Sequence, residues 1–330
     1  MSGTGASVTA TAHPNIALIK YWGKREALTD DHRNWALNPS LSLTLSRAQT
    51  RTKVQPGNGD VHIGGAPAIE ADRLKVHAQL ERVFAFLASP LRAKNCTVES
   101  ANNFPAGTGM ASSASAFAAL TAAAVAFALG SLKAYHGFLE KHPGELSRLA
   151  RLGSGSACRS VTGPFMKWDG AFAHPFASNW KLHDTILLFS NEHKKVPSTA
   201  GHALATSSPR FAARLQGLSA RLALVEASVL ARDLQNLGPL LETEALEMHA
   251  IAESSDPSVV YTLPETRRFL DHLRRQPGRD VFFTLDAGPN VHLISERPIG
   301  ADVTRWLAQL GMNVAIWEDE ASFEPVRVEF

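Results

Sequence analysis

The chain has 330 residues, 45% hydrophobic and 19% charged, which is long enough for a sizeable core in two lobes and excludes disorder throughout. Lys plus Arg number 33 against 31 Asp plus Glu, and this net charge of +2 gives no electrostatic footprint for nucleic acid. The two cysteines, Cys96 and Cys158, stand in no CxxC spacing, which speaks against a disulfide framework or structural zinc site and suits a reducing, cytoplasmic setting.

Met1–Ala12 lacks a basic start followed by an apolar run, so no secretory signal is expected. Strand-like runs occupy 8–22 and 41–54. An amphipathic helix follows over 71–88, with Leu74, His77, Leu80, Val83, Phe84 and Leu87 on one stripe. A short strand at 97–101 and a loop at 102–109 lead to a helix over 110–129 with Ala on every face, which must be buried. No charge occurs from Ser100 to Leu132. That length raises a membrane span, but the small residues and the early Pro105, Gly107 and Gly109 argue for a buried core helix instead. A helix over 144–152 ends at Gly153, and strands are expected at 165–168 and 185–189.

The polar stretch 177–184 marks the expected boundary, giving lobes of 1–182 and 183–330. Beyond it the chain reads as helix-rich, over 209–234, 239–254 and 264–275, each with Pro near its first turn. A hairpin around Asp286 and a last helix over 301–310 complete a mixed α and β chain.

Two segments carry chemistry. Ser154-Gly-Ser-Ala-Cys-Arg159 offers hydroxyls and a guanidinium from a Gly-Ser loop, and a guanidinium is a planar fork that matches carboxylate or phosphate. Asp286-Ala-Gly-Pro-Asn290 puts one carboxylate just beyond the apolar strand Val281–Leu285. A third segment, Phe104 to Ala116, joins a Gly-rich turn containing Gly107 and Gly109 to a helix start, where free N–H groups and the helix dipole suit a phosphate. Ser112 and Ser113 could add hydroxyl ligands to phosphate or to the accompanying Mg²⁺. The loop lacks the Gly-Lys-Ser/Thr of a Walker A motif and the third glycine of a dinucleotide fingerprint.

Taken together, these segments resemble the diphosphomevalonate decarboxylases, a branch of the GHMP kinase superfamily. The matching runs are Pro14-Asn-Ile-Ala-Leu-Ile-Lys-Tyr-Trp-Gly-Lys-Arg25, Asn38-Pro-Ser-Leu-Ser-Leu-Thr-Leu45, Asn102-Asn-Phe-Pro105 with Met110-Ala-Ser-Ser-Ala114, Gly153-Ser-Gly-Ser-Ala-Cys-Arg-Ser160, and Asp286-Ala-Gly-Pro-Asn290. The resemblance implies an α+β, two-lobed GHMP kinase fold, with a ribosomal protein S5 domain 2-like N-terminal lobe, a ferredoxin-like C-terminal lobe and the site in the cleft between them. It implies ATP with Mg²⁺, and mevalonate 5-diphosphate decarboxylated to isopentenyl diphosphate.

By match of motif, Asp286 would be the base near the tertiary 3-hydroxyl, Lys20 its electrostatic partner and Arg159 the holder of the C1 carboxylate. Tyr21, Lys24, Ser154, Ser156 and Ser198 would line the substrate pocket. Asn102, Gly107, Gly109, Ser112 and Ser113 would face ATP, with Ser112 toward the metal. A homodimer is expected, with neither nucleic acid nor membrane as partner. The chain departs from the family pattern at Pro39, Gly107-Thr108, Ala116, Pro197 and His202, and these changes bear on substrate choice more than on reaction type. The alternatives are a same-fold decarboxylase or 3-kinase acting on mevalonate or its 5-phosphate, and a non-catalytic sensor of nucleotide or isoprenoid phosphate.

Overall fold

The computed structural model describes residues 7–105, 112–176, 179–190 and 196–330. Gly107 and Gly109 lie outside the described residues. The chain opens with strands β1 (Val8–Ala12), β2 (Asn15–Ile19), β3 (Ser40–Thr44), β4 (Thr50–Pro56), β5 (Val61–Ile63) and β6 (Ala66–Pro67). Helix α1 (Glu70–Phe86), strand β7 (Cys96–Asn102) and helices α2 (Ser112–Leu129), α3 (Leu132–Lys141) and α4 (Glu145–Gly153) follow, then β8 (Phe165–Trp168) and β9 (Ala173–Pro175). The second half runs β10 (His183–Leu188), α5 (Ser198–Leu204), α6 (Phe211–Ala231), α7 (Leu234–Glu253), α8 (Pro264–Arg274), β11 (Val281–Thr284), β12 (Val291–Ser295), α9 (Gly300–Gln309), β13 (Ala315–Glu320) and β14 (Arg327–Glu329).

Among the described residues three sheets form: β14-β1-β4-β7-β5-β6, β2-β3-β8-β9 and β11-β12-β10-β13. Helix α2 is long and apolar enough to cross a membrane by composition alone, yet it packs on β1 and β4 and is flanked by α1, α3 and α4. Its small side chains let those neighbours approach, and Ala118, Ala119 and Ala122–Ala124 are wholly buried. The four-stranded sheet of the second half is antiparallel and is covered by α7 on β11.

Several expectations change. The stripe on α1 begins later than its periodicity suggests: Leu80, Val83 and Phe84 are buried but Leu74 is 54% exposed. Helix α7 starts at Leu234 rather than at Pro239, because Asp233 caps it by accepting the Asn236 backbone N–H at 3.0 Å, and Pro239 is carried inside the helix. Gly238 on the same turn lets α7 press against Phe282, whose ring stands 2.0 Å from where a Cβ would lie. Helices α3 and α5 were not anticipated. The Ser154 loop is a 3-10 helix over Gly155–Ser160.

The two halves also share a sheet and a core. Strand β14 returns to pair with β1 in the first sheet, Ala10 opposite Val328. One core joins Ile16, Leu18 and Leu41 of the first half to Leu237, Leu241 and Phe282 of the second. That shared core seats the end of β2 against the end of β11.

Candidate active site

Strand β2 stops at Ile19, so Lys20 leaves the ladder, and its side chain turns inward to two acceptors. Its Nζ donates to Asp286 Oδ1 at 2.8 Å and to the Ala17 carbonyl at 2.7 Å. Asp286 sits just past β11, where the apolar strand ends and Pro289 turns the chain back. The Asp286 side chain is 25% exposed and that of Lys20 only 1%, so the carboxylate is the member of the pair presented to the cavity. Burial lowers the Lys20 pKa, opposed by Asp286. Burial alone would raise Asp286, but the charge and hydrogen bond of Lys20, with His292 and Arg159, hold it below the ordinary carboxylate value.

Arg159 projects from the 3-10 helix into the same hollow and is 3% exposed. Its Nη1 donates to Ser40 Oγ at 2.7 Å and its Nε to Asn15 Oδ1 at 3.3 Å, and the guanidinium lies 5.8 Å from the Trp168 ring centroid. All of these are neutral. Among the described residues no carboxylate comes within ion-pair distance of this buried cation, although Asp286 acts on it through space. A buried charge left without a counter-ion is costly, and an incoming anion would relieve that cost.

The cavity encloses about 480 Å³ and is lined by Lys20, Tyr21, Lys24, Ser112, Ser113, Ser154, Ser156, Arg159, Ser198 and Asp286. The structure therefore brings together every described residue that the sequence singles out, Asn102 excepted. Asn102 ends β7 away from this wall, with its Oδ1 accepting from Thr50 Oγ1 at 2.7 Å. Ser113 and Ser154 hydroxyls stand 3.5 Å apart, joining the start of α2 to the 3-10 helix. Gly155 is required there, since a Cβ would lie 2.7 Å from Tyr21 Cε1.

The sequence did not single out Asn34, Lys75 or the part played by His202. Asn34 adopts a left-handed φ of 55°, which Asn tolerates better than most residues. It accepts from Lys24 Nζ at 3.1 Å, and its carbonyl accepts from Tyr21 Oη at 3.2 Å. His202 lines the cavity from α5, with its ring centroid 4.1 Å from that of Tyr21 and 4.8 Å from that of Trp22. Its Nδ1 accepts the Gly23 backbone N–H at 3.2 Å, which leaves the proton on Nε2. Burial, Lys24 and Arg159 hold its pKa well below the ordinary histidine value. His249 Nε2 donates to the Asp286 carbonyl at 3.2 Å, and burial, aided by Lys20, lowers its pKa to about 4.

Such a hollow can bind an anion at Arg159, hold an ionised carboxylate at Asp286 and receive a polyphosphate at the start of α2. Comparison with known proteins agrees with it. Residues 12–174 match the diphosphomevalonate decarboxylase-like N-terminal domain and residues 185–325 the mevalonate 5-diphosphate decarboxylase C-terminal domain. The chain is 35% identical over 316 residues to the diphosphomevalonate decarboxylase mvd1 of Aspergillus fumigatus, covering 86% of this chain and 75% of that one. The crystal structure of mevalonate diphosphate decarboxylase from Staphylococcus aureus superposes with a TM-score of 0.86 at 30% identity, over 98% of each chain. A solved complex with MVAPP, AMPPCP and magnesium is similar, with a TM-score of 0.83 at 29% identity over 98% of each chain. The chain belongs to the diphosphomevalonate decarboxylase family of the two-lobed GHMP kinase fold.

Proposed function

We propose that the chain catalyses the ATP-dependent decarboxylation of mevalonate 5-diphosphate to isopentenyl diphosphate. The observation that carries this is Arg159: a buried guanidinium with no ionic partner among the described residues shares a hollow with an ionised carboxylate, Asp286. A phosphoryl-transfer site needs the carboxylate. The buried cation in the same hollow is a seat for the substrate carboxylate that is lost as CO₂.

The residues present fit a nucleotide. Ser112 and Ser113 open an 18-residue helix with no acidic side chain in its first turn, and Lys75 lines the same cavity. Helix-start N–H groups, two hydroxyls and an ammonium are a donor set for polyphosphate. Magnesium in such sites keeps water and phosphate oxygens as most of its ligands. Among the described residues no cluster of three or more His, Cys, Asp or Glu could cage a metal, so Ser112 offers the chain's own oxygen.

When bound, ATP with Mg²⁺ supplies the γ-phosphoryl group that turns the tertiary hydroxyl into a leaving group. Asp286 accepts the hydroxyl proton while the oxygen attacks and releases it to the transferred phosphate, regaining its charge. Lys20 keeps Asp286 ionised and adds positive charge beside the transferring group. Arg159 holds the C1 carboxylate ionised and oriented. The C3–O bond then breaks with its electron pair leaving on phosphate, and Asp286 stabilises the positive charge developing at C3. The C1–C2 electron pair closes the new C2–C3 double bond as CO₂ departs. Tyr21, Lys24, Ser154, Ser156 and Ser198 border the hollow and would line the substrate pocket.

ADP and CO₂ release with mevalonate, its 5-phosphate and its 5-diphosphate in parallel tests this reading. Equal amounts of both products from the diphosphate alone are expected. ADP without CO₂ would make the protein a kinase, and neither product would make it a sensor.

A further inference from the structure

Lys20 lies one residue beyond β2, where its peptide N–H and carbonyl have lost the ladder and need other partners. Both are gripped by side chains from the second half of the chain. The Lys20 N–H donates to Glu244 Oε1 of α7 at 2.9 Å. The same carboxylate oxygen receives Arg214 Nη2 of α6, and that nitrogen also donates to the Lys20 carbonyl at 3.2 Å. Asn38 Nδ2 donates to this carbonyl at 2.9 Å. Glu244 and Arg214 have fully buried side chains. On the outer side, Arg221 Nη1 donates to Glu244 Oε2 at 2.5 Å and Arg214 Nη1 to Glu247 Oε2 at 2.8 Å.

Such a network is an expensive way to join two helices, because replacing buried ion pairs by apolar side chains is often neutral or stabilising. What it does beyond joining them is fix the main chain of one catalytic lysine on both sides. We propose that Glu244, held by Arg214, is a positioning residue for Lys20, setting the distance and charge of its ammonium relative to Asp286. This rests on the function proposed above and extends it to residues outside the hollow.

The charge of Glu244 also reaches the ammonium. It raises the Lys20 pKa against the effect of burial and of Arg159. The other groups facing Lys20 are Asp286, Asp184 and the neutral His249. Removing the Glu244 charge therefore makes Lys20 lose its proton at lower pH.

Four enzymes are compared under one assay of ADP and CO₂ release: wild type, Glu244→Gln, Glu244→Ala and Glu242→Gln. The last is a matched control on the same helix, since Glu242 is 6% exposed and pairs with Arg279 at 2.5 Å without touching Lys20. Glu244→Gln retains an acceptor for the Lys20 N–H and should lose about tenfold in kcat. Glu244→Ala should lose about a hundredfold, the scale set by small misplacements in a reacting site. In both, the KM for ATP should hold within about twofold, and the alkaline limb of kcat should move to lower pH. Glu242→Gln should lower thermal stability and move neither kcat nor the limb.

If the Glu244 variants do not fold, Arg221→Gln replaces them. It takes a positive charge from the outer side, and its alkaline limb should move to higher pH. An unmoved limb with kcat per folded enzyme equal to that of Glu242→Gln would overturn the proposal, as would an unmoved limb in Arg221→Gln. A wild type that releases no CO₂ would instead overturn the function on which it rests.

Discussion

Lys20 Nζ and Asp286 Oδ1 lie 2.8 Å apart although 266 residues separate them in the chain. The lysine is enclosed and the aspartate is open to the hollow, so the ammonium acts largely through the carboxylate it holds. The pair combines a carboxylate kept charged with a positive field at the wall of the hollow.

This pairing fixes a pH dependence. The folded pKa of Asp286 is depressed, so its contribution to stability is complete above the unfolded value of about 3.9 and is lost as pH falls through the folded value. Carboxyl carbon resonances of labelled aspartate should show Asp286 titrating below about pH 3.9. A midpoint above about pH 5 would remove the assigned effect of Lys20.

Arg159 gives a second test, because binding and stability should move in opposite senses. Arg159→Met removes a buried cation that no described carboxylate neutralises. The ligand-free protein should melt no lower than wild type, while kcat/KM for mevalonate 5-diphosphate falls by about a hundredfold or more, as expected when a charged hydrogen-bond donor to an anion is lost. Differential scanning calorimetry beside steady-state kinetics reads both. A variant that melts much lower, with kcat/KM unchanged, would make Arg159 a structural residue.

His202 and His249 are buried in neutral form, and both have depressed pKa values. The sign is opposite to that of a paired histidine: the unfolded chain binds the proton first, so stability falls as pH drops below about 6.5. His202→Met should flatten part of that decline in denaturant titrations made between about pH 7 and pH 5. An equal decline in variant and wild type would mean His202 is protonated when folded.

Gly155 tests how closely the 3-10 helix approaches Tyr21. A methyl there meets the Tyr21 ring at 2.7 Å, and that ring is wedged between Trp168 at 4.7 Å and His202 at 4.1 Å. Gly155→Ala should cost about 1–3 kcal/mol from overpacking and raise the substrate KM. Chemical denaturation with kinetics on the folded enzyme checks this, and a stability within about 0.5 kcal/mol of wild type would show that Tyr21 can move aside.

The parts of this site that were legible in the sequence are those whose chemistry is local. The Ser154–Arg159 run, the helix start at Ser112 and the lone carboxylate of Asp286 each stand out against their neighbours, and the family motifs join them. Helix α2 was legible because a segment without charge must find a buried place.

What was not legible depends on distance in the chain. Glu244 and Arg214 look like ordinary charges on helices, and only the fold reveals that they meet at the Lys20 peptide. The return of β14 to β1 pairs ends of the chain that no local pattern connects. Pro239 misled because Pro favours a first turn, whereas the cap is Asp233. Leu74 fell on the apolar stripe of α1 but is 54% exposed, while Leu80, Val83 and Phe84 further along are buried.

The most direct measurement of the central claim is to count ADP and CO₂ in one reaction with mevalonate 5-diphosphate, for wild type and for Asp286→Asn. The account predicts one CO₂ for each ADP in wild type, and a fall of both by about 10²–10⁴ in the variant with ATP affinity little changed. Near-normal turnover in Asp286→Asn, or ADP formed by wild type without CO₂, would contradict it.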